Sequence, residues 1–357
     1  MRRNHISERK LALQWAAVGA LSLCFTLPSK AGCKLLQVAE LPVTMAGTAA
    51  LIPVVIDSHP TQMMVDTGAA LSLIWRSAAT DLKLKISSDG SQLYGAGGSE
   101  TRGTVIVKNF TVAGATIPNV ALYTAGRGSL PGNSAGVIGE DLLKHWDVEF
   151  DLPESKIRLF SPKGCSGGEV VYWASKYSMS KLERPPANSD WVETEVGLDG
   201  HKLIAQWDSG AGASFITSPA VERARLNSEL PVKNGAETQG LAGKAVDTRV
   251  AVFQTLSIGQ EQIRNATLRV ADLFGKDSEQ QTGSSIAKSA FEPPEVIIGA
   301  DFFGSHRILI ATSQSKLYFT YTGGPVFQRI QQASQPAAPA PAAGNPAADG
   351  TDKTNIH

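Results

Sequence analysis

The chain has 357 residues with 33 basic and 33 acidic side chains, room for roughly two domains and no basic field for nucleic acid. Its hydrophobic fraction of 42% suits a packed globular core. Short Val/Ile/Leu/Thr runs separated by Gly-rich turns point to a mostly β protein.

Residues 1–31 read as a targeting segment. Arg2, Arg3, Arg9 and Lys10 precede an apolar stretch from Leu11 to Leu27, and Ser29-Lys30-Ala31 places small residues at a signal-peptidase site. The run is short for a membrane span of ~20 apolar residues. The expectation is an exported chain beginning near Gly32, with no integral membrane domain. It would be free in the periplasm or held at the cell envelope through its N-terminus. Cys24 leaves with the leader, and export permits a disulfide between the remaining Cys33 and Cys165. A lipoprotein reading of Cys33 fits poorly, because Lys30 stands where an apolar residue is expected. The six histidines share no ligand-like spacing, so neither metal nor cofactor is expected.

The first half, 32–165, opens on apolar runs leading into Val65-Asp66-Thr67-Gly68-Ala69-Ala70. A Gly-rich turn follows at Tyr94-Gly95-Ala96-Gly97-Gly98, then strand-like runs at Val105–Val107 and Phe110–Gly114. Next comes Val137-Ile138-Gly139, with a short helix expected over Leu142–His145. The half closes on a predicted strand pair, Val148–Asp151 with Lys156–Phe160.

A connector is expected over 166–189, and the pattern then repeats in 190–331. Trp207-Asp208-Ser209-Gly210-Ala211-Gly212 copies the first motif at an offset of 208 − 66 = 142 residues. The turn Gly240-Leu241-Ala242-Gly243 follows at 240 − 95 = 145, and Ile297-Ile298-Gly299 at 299 − 139 = 160. The growing offset locates extra residues in a polar loop over Gly275–Pro294. A second short helix is expected over Phe302–Ser305, then a closing pair, Arg307–Ile310 with Lys316–Phe319. The Ala/Pro-rich tail, 332–357, lacks the apolar content to fold.

Two halves related by a two-fold axis would bring Asp66 and Asp208 face to face. Gly68 and Gly210 would permit tight turns and close approach, and Thr67 and Ser209 could hydrogen-bond across the axis. Two carboxyls that close cannot both ionise easily. They hold one proton between them and can activate a water against a peptide carbonyl without a covalent intermediate. The plain alternative is that each Asp only caps its turn, which the matched contexts disfavour.

In these two Asp-(Thr/Ser)-Gly-Ala phrases and the two apolar-apolar-Gly phrases, the chain resembles the retropepsin-like aspartic proteases of the bacterial single-chain, two-repeat type. The resemblance covers about 41–162 and 190–321. It implies an all-β fold of two β-barrel lobes related by a pseudo-two-fold, with a peptide or protein substrate in the cleft between them. It further implies a monomer acting as a pseudo-dimer, apolar-Gly segments packed beneath the catalytic loops, and flap tips at Gly95, Gly97 and Gly98 and at Gly240 and Gly243. Asp66 and Asp208 would be catalytic, supported by Thr67, Gly68, Ser209 and Gly210. Asp141 and Asp301 fall at helix starts and read as N-terminal helix charges.

Three departures stand out. Trp207 replaces Val65, which suggests an asymmetric cleft floor. Leu241 and Lys244 replace Ala96 and Ser99 in the second flap. Both motifs continue with Ala rather than Ser, removing a hydrogen bond that would favour ionisation; activity is then expected to reach toward neutral pH. Two other functions compete with an aspartic endopeptidase: an inactive peptide-binding or scaffolding protein of the same fold, and a two-carboxylate glycosidase.

Overall fold

The computed structural model describes residues 35–327 except 89, 97, 127–130, 162–167, 184–190, 227–232, 235–237, 240–244 and 275–293. The leader, Cys33, Cys165, Gly97, Gly240, Gly243, nearly all of the polar loop and the tail 332–357 lie outside the described residues. Among the described residues no helix is long and apolar enough to cross a membrane.

Each half closes a six-stranded barrel, and the two barrels have one strand order. In the first, Ala49–Ile56 pairs with His59–Val65, followed around the barrel by Gly136–Ile138, Leu73–Trp75, Ala115–Ala125 and Gly103–Val112. The register Val54↔Val112 to Ile56↔Phe110 closes the ring. In the second, the same circuit runs through Glu193–Leu198, His201–Trp207, Val296–Ile298, Phe215–Thr217, Glu261–Ala271 and Arg249–Ile258. Gly197↔Ser257 and Leu198↔Leu256 close it.

Sequence alternation explains which side chains fill each barrel. Along Gly103–Val112 and Arg249–Ile258 the inward positions are apolar: Val105, Val107, Phe110 and Val112, and Ala251, Phe253, Leu256 and Ile258, all buried. The separate runs expected at Val105–Val107 and Phe110–Gly114 are one continuous strand, which turns at Ala113 and Gly114, both with positive φ.

Six adjacent strands, continuous with the sheet of the second barrel, join the halves. The first supplies Leu36–Pro42, Lys156–Ser161 and Asp147–Asp151; the second supplies His306–Ala311, Lys316–Tyr321 and Ser178–Glu183. The central pair is antiparallel, with Val148↔Ile310, Glu149↔Leu309 and Phe150↔Ile308 in register. The span 166–189 therefore contributes a strand of its own. Glu149 is buried in this sheet and takes two cations, Arg158 at 2.5 Å and Arg307 at 2.9 Å. Asp151 meets the same two guanidinium groups at 3.0 and 3.3 Å, so the two buried carboxylates are matched by the charges of Arg158 and the half-buried Arg307.

Among the described residues, helices are few and short. Glu140–Leu143 and Ala300–Phe303 begin two residues earlier than the sequence pattern places them, directly after Gly139 and Gly299. The reason is local: the Glu140 N–H donates to the Ala69 carbonyl at 2.8 Å, and the Ala300 N–H to the Ala211 carbonyl at 2.7 Å. Each helix start is thus satisfied by the loop that follows an Asp motif. Arg76–Asp81 and Ser218–Arg223 form a further helix per half, hidden in sequence because six residues give too little periodicity to read.

Candidate active site

Each Asp motif sits where a strand leaves its barrel. His59–Val65 runs parallel to Gly136–Ile138, with Val65 beside Ile138; His201–Trp207 runs parallel to Val296–Ile298, with Trp207 beside Ile298. The ladder continues one residue further, Asp66 N–H donating to Ile138 at 3.0 Å and Asp208 N–H to Ile298 at 2.9 Å. The apolar-apolar-Gly phrase is therefore the neighbouring strand of the Asp strand. Its Gly is a steric requirement. A Cβ on Gly139 would stand 2.6 Å from the Ala69 carbonyl oxygen, and one on Gly299 would stand 2.3 Å from that of Ala213.

Both loops then tighten around their own carboxylates. Asp66 Oδ1 accepts the N–H groups of Gly68 and Ala69 at 2.8 and 3.2 Å, and Asp208 Oδ1 accepts those of Gly210 and Ala211 at 2.9 Å each. Across the pseudo-two-fold, Thr67 and Ser209 interlock. Thr67 Oγ1 donates to the Trp207 carbonyl at 2.6 Å, and Ser209 Oγ donates to the Val65 carbonyl at 2.9 Å. Each hydroxyl also accepts the opposite backbone N–H, at 3.1 and 3.0 Å. Thr67 and Ser209 are buried, so these four bonds are shielded from water and fix the two loops to each other.

This lattice brings the carboxyl groups of Asp66 and Asp208 into hydrogen-bonding contact. Burial pushes the Asp66 carboxyl well above its ordinary range, and the charge of Asp208 pushes it further; its own loop N–H groups oppose the rise only in part. Burial also raises Asp208, while the hydrogen bond from Asp66 and the N–H groups of Ala211 and Gly210 lower it. Both carboxyls are raised and in contact, so the pair titrates as a unit that holds one proton between its two members.

Four further residues support the site in ways the sequence pattern does not label. Asp141 and Asp301 do occupy first turns of helices, but their carboxylates reach back to the loops. Asp141 Oδ1 accepts the Ser72 N–H at 2.9 Å and hydroxyl at 2.6 Å. Asp301 accepts the Ser214 N–H at 3.0 Å and hydroxyl at 2.6 Å. The two serine hydroxyls in turn accept the N–H groups of Gly139 and Gly299, at 3.0 and 2.9 Å. Ser72 and Ser214 recur six residues after each Asp, a signal present in the repeat.

The expected asymmetry at Trp207 has a different meaning. Its indole is fully buried, packs edge-on against Phe302 and Phe303, and donates to Thr194 Oγ1 at 3.0 Å. It fills the second barrel and does not floor the cleft, just as Val65 fills the first.

Gly95 and Gly98 face each other across a hairpin, Gln92–Gly95 with Gly98–Thr101. Ala96 at its tip packs against a cluster of the second lobe formed by Ala213, Phe215, Ala271, Leu273 and Ile297. Glu100 secures the hairpin base by accepting the Gly126 N–H at 2.7 Å. In the second half, Thr238–Gln239 pairs with Ala245–Val246 around the matching turn, whose residues 240–244 fall outside the described residues.

Residues 52–142 match the family described as aspartyl protease. That stretch runs from the first barrel hairpin through Asp66 to the helix carrying Asp141. No curated protein matches the chain in sequence. Among solved structures, the aspartic proteinase from Irpex lacteus is similar over 82% of this chain and 98% of its own, at 14% identity and a TM-score of 0.46.

Proposed function

We propose that the protein is an aspartic endopeptidase that hydrolyses peptide bonds by direct attack of a water activated between Asp66 and Asp208. The ionised member of the pair takes the proton from the water as it adds to the scissile carbonyl. The protonated member donates the shared proton to the developing oxyanion, and proton return to the amine expels the leaving group. The observation that carries this reading is the crossed Thr67–Ser209 lattice, which holds two carboxyls together against their mutual repulsion. A turn-capping role would not require that arrangement, nor would a fold that had given up catalysis.

The substrate is an extended peptide or protein segment lying between the two barrels beneath the Gly95–Gly98 hairpin. The chain acts alone, its two halves standing in for two subunits. Its working place is the periplasm or cell envelope, a proposal supported by the basic-apolar leader, with or without an N-terminal tether.

Incubation of the mature protein with a diverse peptide library tests the reading. Internal cleavage is expected, suppressed by a hydroxyl-bearing analogue of the tetrahedral intermediate. Absence of cleavage across acidic to neutral pH would reject it.

A further inference from the structure

The two barrels are alike in path but not in the side chains they turn toward the cleft. In the first half Thr44, Leu51 and Met64 stand opposite one another on three adjacent strands, forming a row on one sheet face. In the second half the matching row is Glu183, Glu193 and Gln206. Met64 and Gln206 each lie two residues before their Asp, so both rows start beside the dyad.

The surroundings show where these rows face. Leu51 and Met64 share an apolar cluster with Leu73, Trp75 and Val137, against which Ala69 of the Asp66 loop and Leu93 of the flap hairpin also pack. In the second half Gln206 is in register with Ile297. Ile297 belongs to the cluster that receives Ala211 of the Asp208 loop and the flap tip Ala96. Both rows thus lie on the side of the sheet that the catalytic loops and flap cover.

The second row is built and incomplete. Gln206 is 4% exposed and donates from Nε2 to the Gly68 carbonyl at 3.3 Å, which ties the row to the loop of Asp66. Glu193 is 6% exposed, and its carboxylate has no hydrogen-bond or ionic partner among the described residues. A buried carboxyl without a partner costs stability, and the other half of the molecule solves the same position with Leu. Glu183 beside it adds a second acid and supplies no counter-charge. A cation from outside the fold is the missing complement.

We propose that Glu193, approached past Gln206, selects a Lys or Arg side chain of the bound peptide on the side of the scissile bond held by the second lobe, while Met64, backed by the fully buried Leu51, selects an apolar side chain on the other. This rests on the peptide-hydrolase reading above. A Lys or Arg stem can lie along the apolar neighbours Ile297 and Ala211 and carry its charge to the carboxylate. The repeat thereby gives one site with two chemistries, which a strictly symmetric dimer cannot have.

The test uses the full chain at pH 7, where Glu193 is substantially ionised, and paired peptides that differ only in Lys or Leu at each position flanking the cleaved bond. Wild type is expected to favour Lys at one position by about tenfold in kcat/KM, or about 1.4 kcal/mol. Glu193→Gln, isosteric and without charge, should bring that ratio close to one; Glu193→Leu should invert it toward Leu. Cleavage with no charge preference, or a Lys preference that survives both substitutions, would overturn the inference and leave the protease reading standing. The same peptides, measured for binding to Asp66→Asn by fluorescence anisotropy, separate the two claims. If wild type cleaves nothing, the protease reading fails. The Glu193 inference then stands only if Lys-selective binding is present and vanishes on adding Glu193→Gln, and it is overturned otherwise.

Discussion

Gly68 leaves no room for a side chain because Asp208 occupies it: a Cβ there would stand 2.2 Å from Asp208 Cγ. Gly210 has the reciprocal relationship with Asp66, at 2.3 Å from its Cγ. Each carboxyl of the dyad is seated on the glycine of the opposite motif, so neither half can form the site alone. Gly68→Ala is expected to displace Asp208 by about an ångström and lower kcat by about 10²-fold or more, the scale of loss that such misplacement causes. Circular dichroism should remain that of the folded parent. Retained activity would mean that the close approach of loop and carboxyl is not needed.

Ser214 joins three parts of the second lobe: its hydroxyl donates to Asp301 and accepts from Gly299, both buried. Ser214→Ala leaves a buried carboxylate and a buried N–H each short of a partner. The expected cost is about 1–3 kcal/mol, read in urea unfolding, together with reduced kcat because the Asp208 loop loses its brace. Ser72→Ala should do the same in the first lobe.

Glu193 makes stability depend on pH in an unusual direction. Burial raises its carboxyl from the ordinary 4.5 to about 7. The folded chain therefore holds this proton more tightly than the unfolded chain does, and this group's contribution declines as pH rises from about 4.5 through 7. Glu193→Gln should leave stability unchanged at pH 4 and raise it at pH 8. Each tenfold difference in proton affinity is worth about 1.4 kcal/mol, and screening by solvent discounts the total to about 2 kcal/mol. Thermal melts at the two pH values check this. Equal effects at both would show that the carboxyl is not strained by burial.

The dyad has its own pH signature. Both carboxyls are raised, first by burial, so the singly protonated pair persists to higher pH than isolated aspartates allow. Residues 69 and 211 are Ala, and neither adds a side-chain hydrogen bond that would favour ionisation. The activity profile should extend into mildly acidic or near-neutral pH and fall as the last shared proton is lost. Activity confined to strongly acidic pH would contradict this.

Much of this is legible in the sequence because it is written twice. Asp66 and Asp208, their glycines, the crossing hydroxyls of Thr67 and Ser209, and the apolar-Gly strands all recur in order, and a two-fold axis is the simplest reason. What recurs without a chemical label is harder to read. Ser72 and Ser214 reach Asp141 and Asp301, 69 and 87 residues away in sequence, as well as Gly139 and Gly299. Trp207 misleads in the opposite way: adjacency to Asp208 suggests the cleft, whereas strand alternation turns its side chain into the barrel. A difference between the halves lies one residue earlier, Gln206 against Met64, and on the neighbouring strand, Glu193 against Leu51, where only the register reveals it.

The central claim is that Asp66 and Asp208 act as one proton-sharing pair on a peptide bond. The most direct measurement compares peptide hydrolysis by wild type, Asp66→Asn and Asp208→Asn at mildly acidic pH. The account predicts that either substitution abolishes turnover while the chain remains folded and still binds the peptide. Turnover surviving in either variant would contradict it.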